Sequence, residues 1–211
     1  MSDVSNKNKD ISSMIKDAII LFIITLVAGL LLGFVNDITK DPIARQQAKA
    51  KAEACKSVFA AADSFENWED GPTSYFMGDY QGKVDIDEVM KALDASGNLL
   101  GYVITVTDHE GYGGDIQFSM GITLDGNLNG ISILKISETA GLGMKAGTVL
   151  VPQFENKKAD IFVYTKAGAV NDNEIDAISG ATITTNAVVN GVNAGISLFK
   201  GVLLGEKGGN Q

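Results

Sequence analysis

Asp176-Ala177-Ile178-Ser179-Gly180-Ala181-Thr182-Ile183-Thr184-Thr185 runs directly into residues 186–204, where Val188, Val192, Gly195, Phe199 and Val202 recur at three- and four-residue spacings. That spacing predicts an amphipathic helix with the Ser-Gly-Ala-Thr loop at its start. A helix start carries several N–H groups without intrahelical acceptors and the positive end of the dipole, so it suits a phosphate. Ser179 or Thr184 also suits the role of a simple cap, since Ser and Thr are common there.

Upstream of this helix the period changes. Residues 100–107, 115–124 and 128–136 are rich in Ile, Val, Thr, Tyr and Phe, and Asp125-Gly126-Asn127 between the last two is a turn signal. They read as three consecutive antiparallel strands. Residues 160–165, with Ile-Phe-Val-Tyr inside, add a short strand. Strands first and a long helix last indicate an α+β domain with the helix packed on one sheet face.

Two loops hold most of the clustered glycine: His109-Glu110-Gly111-Tyr112-Gly113-Gly114 before the second strand, and Ser137-Glu138-Thr139-Ala140-Gly141-Leu142-Gly143 after the third. Turn chemistry alone accounts for either. No Gly-x-Gly-x-x-Gly stands between a strand and a helix, so there is no dinucleotide fingerprint. His109, the only histidine, reads as a loop residue rather than a proton donor, because nothing in the sequence fixes a partner for it.

At the other end, residues 1–17 are polar and expected to be poorly ordered. Residues 18–35 follow without a charge, and as a helix they span roughly 27 Å at about 1.5 Å per residue. That length fits a bilayer core, and the run is long for a cleaved signal peptide. Lysines flank both ends, so charge counting leaves the orientation open. Asp41-Pro42 is a helix-start signal, and residues 43–62 read as a helical stalk leaving the membrane.

Residues 63–94 carry nine acidic side chains against Lys83 and Lys91 and read as a solvated acidic face. Trp68 and Tyr75 within it are expected to be core aromatics. Asp85, Asp87 and Glu88 have no calcium-loop spacing. The net charge of −9 argues against nucleic acid as a partner. Cys55, the single cysteine, excludes an internal disulfide and an iron–sulfur cluster held by this chain alone. It sits in an alanine-rich helical pattern as a buried small hydrophobe.

Asp-x-x-Ser-Gly-Ala-Thr-x-Thr, ending at Thr184, resembles the flavinylation motif of the G subunit of the Rnf electron-transport complex and of the C subunit of the sodium-translocating quinone reductase. Glu138-Thr139-Ala140-Gly141-Leu142-Gly143 resembles the Glu-Thr-Pro-Gly-Leu-Gly loop of the same FMN-domain family, with Ala140 replacing a proline and so removing a fixed backbone angle. The shorter chain favours the Rnf G subunit. The resemblance implies FMN bound by a phosphoester to Thr184, with Thr185 the competing acceptor, and a separate flavin transferase that delivers FMN from FAD. It implies that Ser179, Gly180, Ala181 and Thr182 shape the phosphate loop and that Thr139, Gly141, Leu142 and Gly143 approach the ring, with Glu138 and Tyr112 in the same cofactor-binding set.

The same resemblance implies a cytoplasmic segment at 1–17, a transmembrane helix at 18–36, a stalk at 37–62, an extracytoplasmic FMN-binding domain at 63–205 and a tail at 206–211. The implied role is electron relay between reduced ferredoxin and NAD among other membrane and iron–sulfur subunits, while sodium ions or protons cross the membrane. Thr25 is the only polar side chain of the apolar run 18–35, so any ion path lies mainly in partner subunits. A different class stays open: a membrane-anchored, flavin-free scaffold that recruits partners through its acidic face.

Overall fold

The computed structural model describes the backbone of residues 2–69, 80 and 82–204, with side chains from Met14 onward. Tyr75, Phe76, Asp70, Asp79 and the tail at 206–211 lie outside the described residues. The chain divides into two units, Met1–Lys49 and Ala50–Gln211.

The first unit is helical. α1 runs Ser2–Val58, so its last turns belong to the second unit. Side chains across residues 14–38 are exposed, and the helix is long and apolar enough to cross a membrane. Thr25 donates its hydroxyl to the carbonyls of Leu21 and Phe22 at 3.0 and 2.9 Å. The one polar side chain of the apolar run is thereby satisfied on its own helix, as a hydrocarbon environment demands. The described backbone of the polar N-terminal segment is helical from Ser2, continuous with the apolar run. One expectation is corrected here. Asp41-Pro42 starts no new helix: Pro42 lies inside α1, where the missing N–H removes one bond from a ladder that is strong on both sides.

The second unit is built on a five-stranded antiparallel meander in the order β1 (Ser64–Asn67), β2 (Val84–Leu93), β3 (Leu99–Asp108), β4 (Ile116–Thr123) and β5 (Leu128–Lys135). The last three are the strands expected from the sequence. β1 and β2 are strands that the sequence reading of residues 63–94 did not include, while the described acidic side chains there are exposed or half-buried, as expected of a solvated acidic face. β2 carries acidic side chains outward while Val84, Val89 and Ala92 are buried, and a bulge between Ile86 and Glu88 shifts its phase.

Two helical segments cover the sheet. Ile104, Val106, Phe118 and Met120 pack toward α3 (Thr182–Leu198), which lies close enough that a Cβ on Gly191 would meet Phe118 Cζ at 2.8 Å. Cys55, Val58, Phe59 and Ala62, at the end of α1 and just beyond it, pack with Ala92 and Val103. Cys55 is buried, as expected for a small hydrophobe, and Lys51 pairs with Glu88 of β2.

Between β5 and α3 the chain makes a turn of 3-10 helix at Gly143–Lys145, the short α2 (Ala146–Val149) and another 3-10 turn at Val151–Phe154. It then forms a two-stranded parallel sheet from β6 (Val163–Thr165) and β7 (Glu174–Asp176). α3 continues into a π-helical turn at Phe199–Leu203, where Leu204 N–H reaches Phe199 O at 2.9 Å. Trp68 is 7% exposed and part of the main core.

Candidate functional site

The loop between β7 and α3 is held from both sides. Asp176 Oδ1 accepts the Ala169 N–H at 2.6 Å, and its backbone N–H donates to Gln153 Oε1 at 2.7 Å. At the helix start, Thr185 Oγ1 accepts the Ile178 N–H at 3.1 Å and donates to Ala181 O at 2.9 Å. That hydroxyl replaces a side-chain cap. The N-cap is Ala181, without a capping side chain, so neither Ser179 nor Thr184 fills that role. Gly180 turns the loop at φ +77°, and Leu142 from the other loop lies over it. Thr185 N–H makes the first bond inside α3, to Ala181 O at 3.0 Å, so the N–H groups of Thr182, Ile183 and Thr184 have no acceptor within the helix.

Thr184 and Thr185 therefore differ in chemistry. Both are buried, at 1% and 0% exposure. The Thr185 hydroxyl is engaged twice, whereas among the described residues the Thr184 hydroxyl has no hydrogen-bond partner and faces a cavity.

The opposite wall comes from the loop after β5. Thr139 O accepts the N–H groups of Leu142 and Met144 at 3.1 and 3.2 Å, which folds Ala140 and Gly141 into a tight turn that needs no proline. Gly143 is where the two walls meet. A Cβ there would stand 2.7 Å from Thr184 Oγ1 and 2.8 Å from Glu138 Oε2, so only glycine fits. Glu138 is 9% exposed and accepts the Gly113 N–H at 3.2 Å, which joins this loop to the glycine-rich loop after β3.

The cavity enclosed has a volume of about 460 Å³, within the roughly 300–1,000 Å³ of small-molecule sites. Tyr112, Glu138, Thr139, Leu142, Gly143, Gly180, Ala181, Thr182 and Thr184 line it, together with Ile183. Of the sequence-predicted residues, Ser179 and Gly141 stand on exposed turns and Thr185 lies beneath the wall, outside that lining. Ile183 is a lining residue that the motifs do not single out. Its signal is an apolar residue at a helix start, out of phase with the buried Val188 and Val192, and it is 52% exposed. A free hydroxyl, three helix-start N–H groups, and apolar side chains from Leu142 and Ile183 together suit a phosphate joined to a flat apolar ring.

A second cleft, about 590 Å³, runs along β5 past Asn129, Ile131 and Ile133, and contains none of the predicted site residues. Among the described residues no three His, Cys, Asp or Glu side chains are grouped to hold a metal ion.

Two charged groups anchor the loop after β3. Asp108 is fully buried; its Oδ1 accepts the Glu110 N–H at 2.7 Å, while Oδ2 has no partner among the described residues. Burial pushes its pKa up to about 6. His109 corrects the expectation that no partner is fixed for it: Nδ1 lies 2.9 Å from Asp115 Oδ1 and Nε2 lies 3.0 Å from Asp85 Oδ2. Carboxylates satisfy both nitrogens only when both carry protons, and the hydrogen bonds to Asp115 and Asp85 hold its pKa above the ordinary value.

Residues 111–197, which include this cavity, match the FMN-binding domain, and residues 1–58 match the RnfG N-terminal region. The G subunit of the Na+-translocating ferredoxin:NAD+ oxidoreductase complex of Acetobacterium woodii is 32% identical over 189 residues, covering 88% of this chain and 91% of that protein. The G subunit of the ion-translocating oxidoreductase complex of Methanosarcina acetivorans is 31% identical over 188 residues, covering 89% and 95%. The crystal structure of NqrC from Shewanella oneidensis superposes with a TM-score of 0.49 at 18% identity, over 72% of this chain and 95% of that one. At this identity, sustained along nearly the full length of its relatives, the chain belongs to the family of G subunits of Rnf-type ion-translocating oxidoreductase complexes.

Proposed function

We propose that the chain is the flavin-carrying relay of a membrane-bound ferredoxin:NAD oxidoreductase that moves Na+ or H+, with FMN joined through its phosphate to Thr184. The observation that carries this reading is the contrast at the start of α3: Thr184 presents an unengaged hydroxyl to the cavity while Thr185 is tied into the loop.

FMN exchanges one or two electrons and so links centres that differ in electron number. The chain's own residues supply the setting. The N–H groups of Thr182, Ile183 and Thr184 favour the phosphate anion. Leu142 and Ile183, with Tyr112 at the rim, keep water from one side of the ring. The ester keeps the cofactor from being lost to the outside medium.

In this reading the N-terminus is cytoplasmic, the flavin domain is extracytoplasmic, and the apolar span of α1 holds the domain among the other subunits of the complex. A flavin transferase charges the chain during maturation. The span's only polar side chain is bonded to its own backbone, which supports an ion path through partner subunits.

The test is to produce the chain with a flavin transferase, denature it and measure fluorescence that stays with the polypeptide. The wild type and Thr185→Val are expected to fluoresce and Thr184→Val to be dark. A dark wild type, or a bright Thr184→Val, sinks the proposal.

A further inference from the structure

We propose that Glu138 accepts the proton of the Thr184 hydroxyl when the flavin phosphate is attached; the inference rests on the covalent reading above. Thr184 Oγ1 and Glu138 Oε2 lie 2.7 and 2.8 Å from one point, the position of a Cβ on Gly143, so the two oxygens are at most 5.5 Å apart, the sum of those distances. Both residues line the same cavity. The Gly113 N–H holds the other carboxylate oxygen, which leaves Oε2 turned toward the hydroxyl's side.

A threonine hydroxyl is a weak nucleophile until an adjacent base takes its proton. The adjacent Thr185 hydroxyl is committed as a donor to Ala181 O. Among the described lining residues Glu138 is the only carboxylate.

The donor is a flavin dinucleotide. Thr184 Oγ1 attacks the flavin-side phosphorus, an Oγ1–P bond forms, and the phosphoanhydride P–O bond breaks. The nucleoside monophosphate leaves with that bond's electron pair, and the hydroxyl proton passes to Glu138. The proton taken up leaves Glu138 neutral beside the new phosphodiester, which spares the pocket two adjacent anions. The two oxygens are not hydrogen-bonded in this structure, and no side chain stands between them at Gly143, so the proton transfer needs only that the gap between them close.

The experiment measures covalent labelling of the full chain by purified flavin transferase with FAD, taking kcat and KM for the chain as substrate. Glu138→Gln keeps the shape and the acceptor for the Gly113 N–H; its kcat is expected to fall about 100-fold or more with KM unchanged, the usual scale of a lost general base. Glu138→Asp keeps a carboxylate and is expected to recover part of the rate. Labelling of Glu138→Gln at the wild-type rate, or a defect confined to KM, overturns the proposal. Should the Gln chain melt early, Glu138→Asp decides: a lower kcat at unchanged KM supports the assignment, and a change in KM alone removes it. A wild type that takes no label, or a Thr184→Val chain that does, strikes the covalent reading instead, so the two failures are distinct.

Discussion

Thr184 and Thr185 are adjacent, equally buried and chemically opposite, and substitutions separate them. Thr185→Val removes the hydroxyl between Ile178 N–H and Ala181 O and leaves a buried N–H without its acceptor. The expected loss is about 1–3 kcal/mol of stability, read by denaturant unfolding, with covalent flavin retained. Gly143→Ala puts a methyl group between Thr184 and Glu138, so it is expected to abolish labelling even though it changes no reactive group. Asp108 gives a pH prediction. Its folded pKa, about 6, lies above its ordinary 3.8. The folded state therefore binds the extra proton, and the stability this confers is present below the ordinary value and lost as pH rises through about 6. Asp108→Asn keeps an acceptor for the Glu110 N–H and is expected to gain about 2–3 kcal/mol at pH 8, with little gain at pH 4.

Among the elements, the strand ends at this side of the sheet are tied through His109, which follows β3 and meets Asp85 of β2 and Asp115 just before β4. Its folded pKa is raised, so the stability it contributes is full below its ordinary 6.5 and fades as pH rises through the elevated value. Asp115→Asn removes the largest cause of the rise and is expected to lower the His109 titration midpoint, read by NMR of the imidazole protons. An unchanged midpoint would count against the clamp.

Much of this architecture is legible in the chain because β3, β4 and β5 are long runs rich in β-branched and aromatic residues, the last two joined by a strong turn. β2 is not, for a local reason: the bulge at Ile86 and Glu88 resets the two-residue period midway, and the acidic side chains then read as a solvated run. β1 and β7, with four and three residues, are too short to show any period. Two short motifs mark both walls of the candidate cavity in the sequence. Its hydrogen-bond pattern is not legible there, because the Thr185 bonds depend on how the loop turns at Gly180.

For the whole molecule, the division at Ala50 has a practical meaning. The end of α1 supplies Cys55 and Val58 to the sheet, and Phe59 and Ala62 follow. A chain beginning at Ala50 is expected to leave the membrane fraction and melt as the full-length domain does. A chain beginning at Asp63 strips that sheet face and is expected to lose several kcal/mol, on the scale of large-to-small core substitutions. Equal melting temperatures for the two shortened chains would refute this.

Trp68 is the sole indole, and it lies in the interior of the Ala50–Gln211 unit, none being present in the apolar helix. Ultraviolet excitation at long wavelength thus reports on one location without any added label. Unfolding will shift its emission to the red as water reaches the ring, so detergent-solubilised material and its trimmed versions share a single built-in optical gauge.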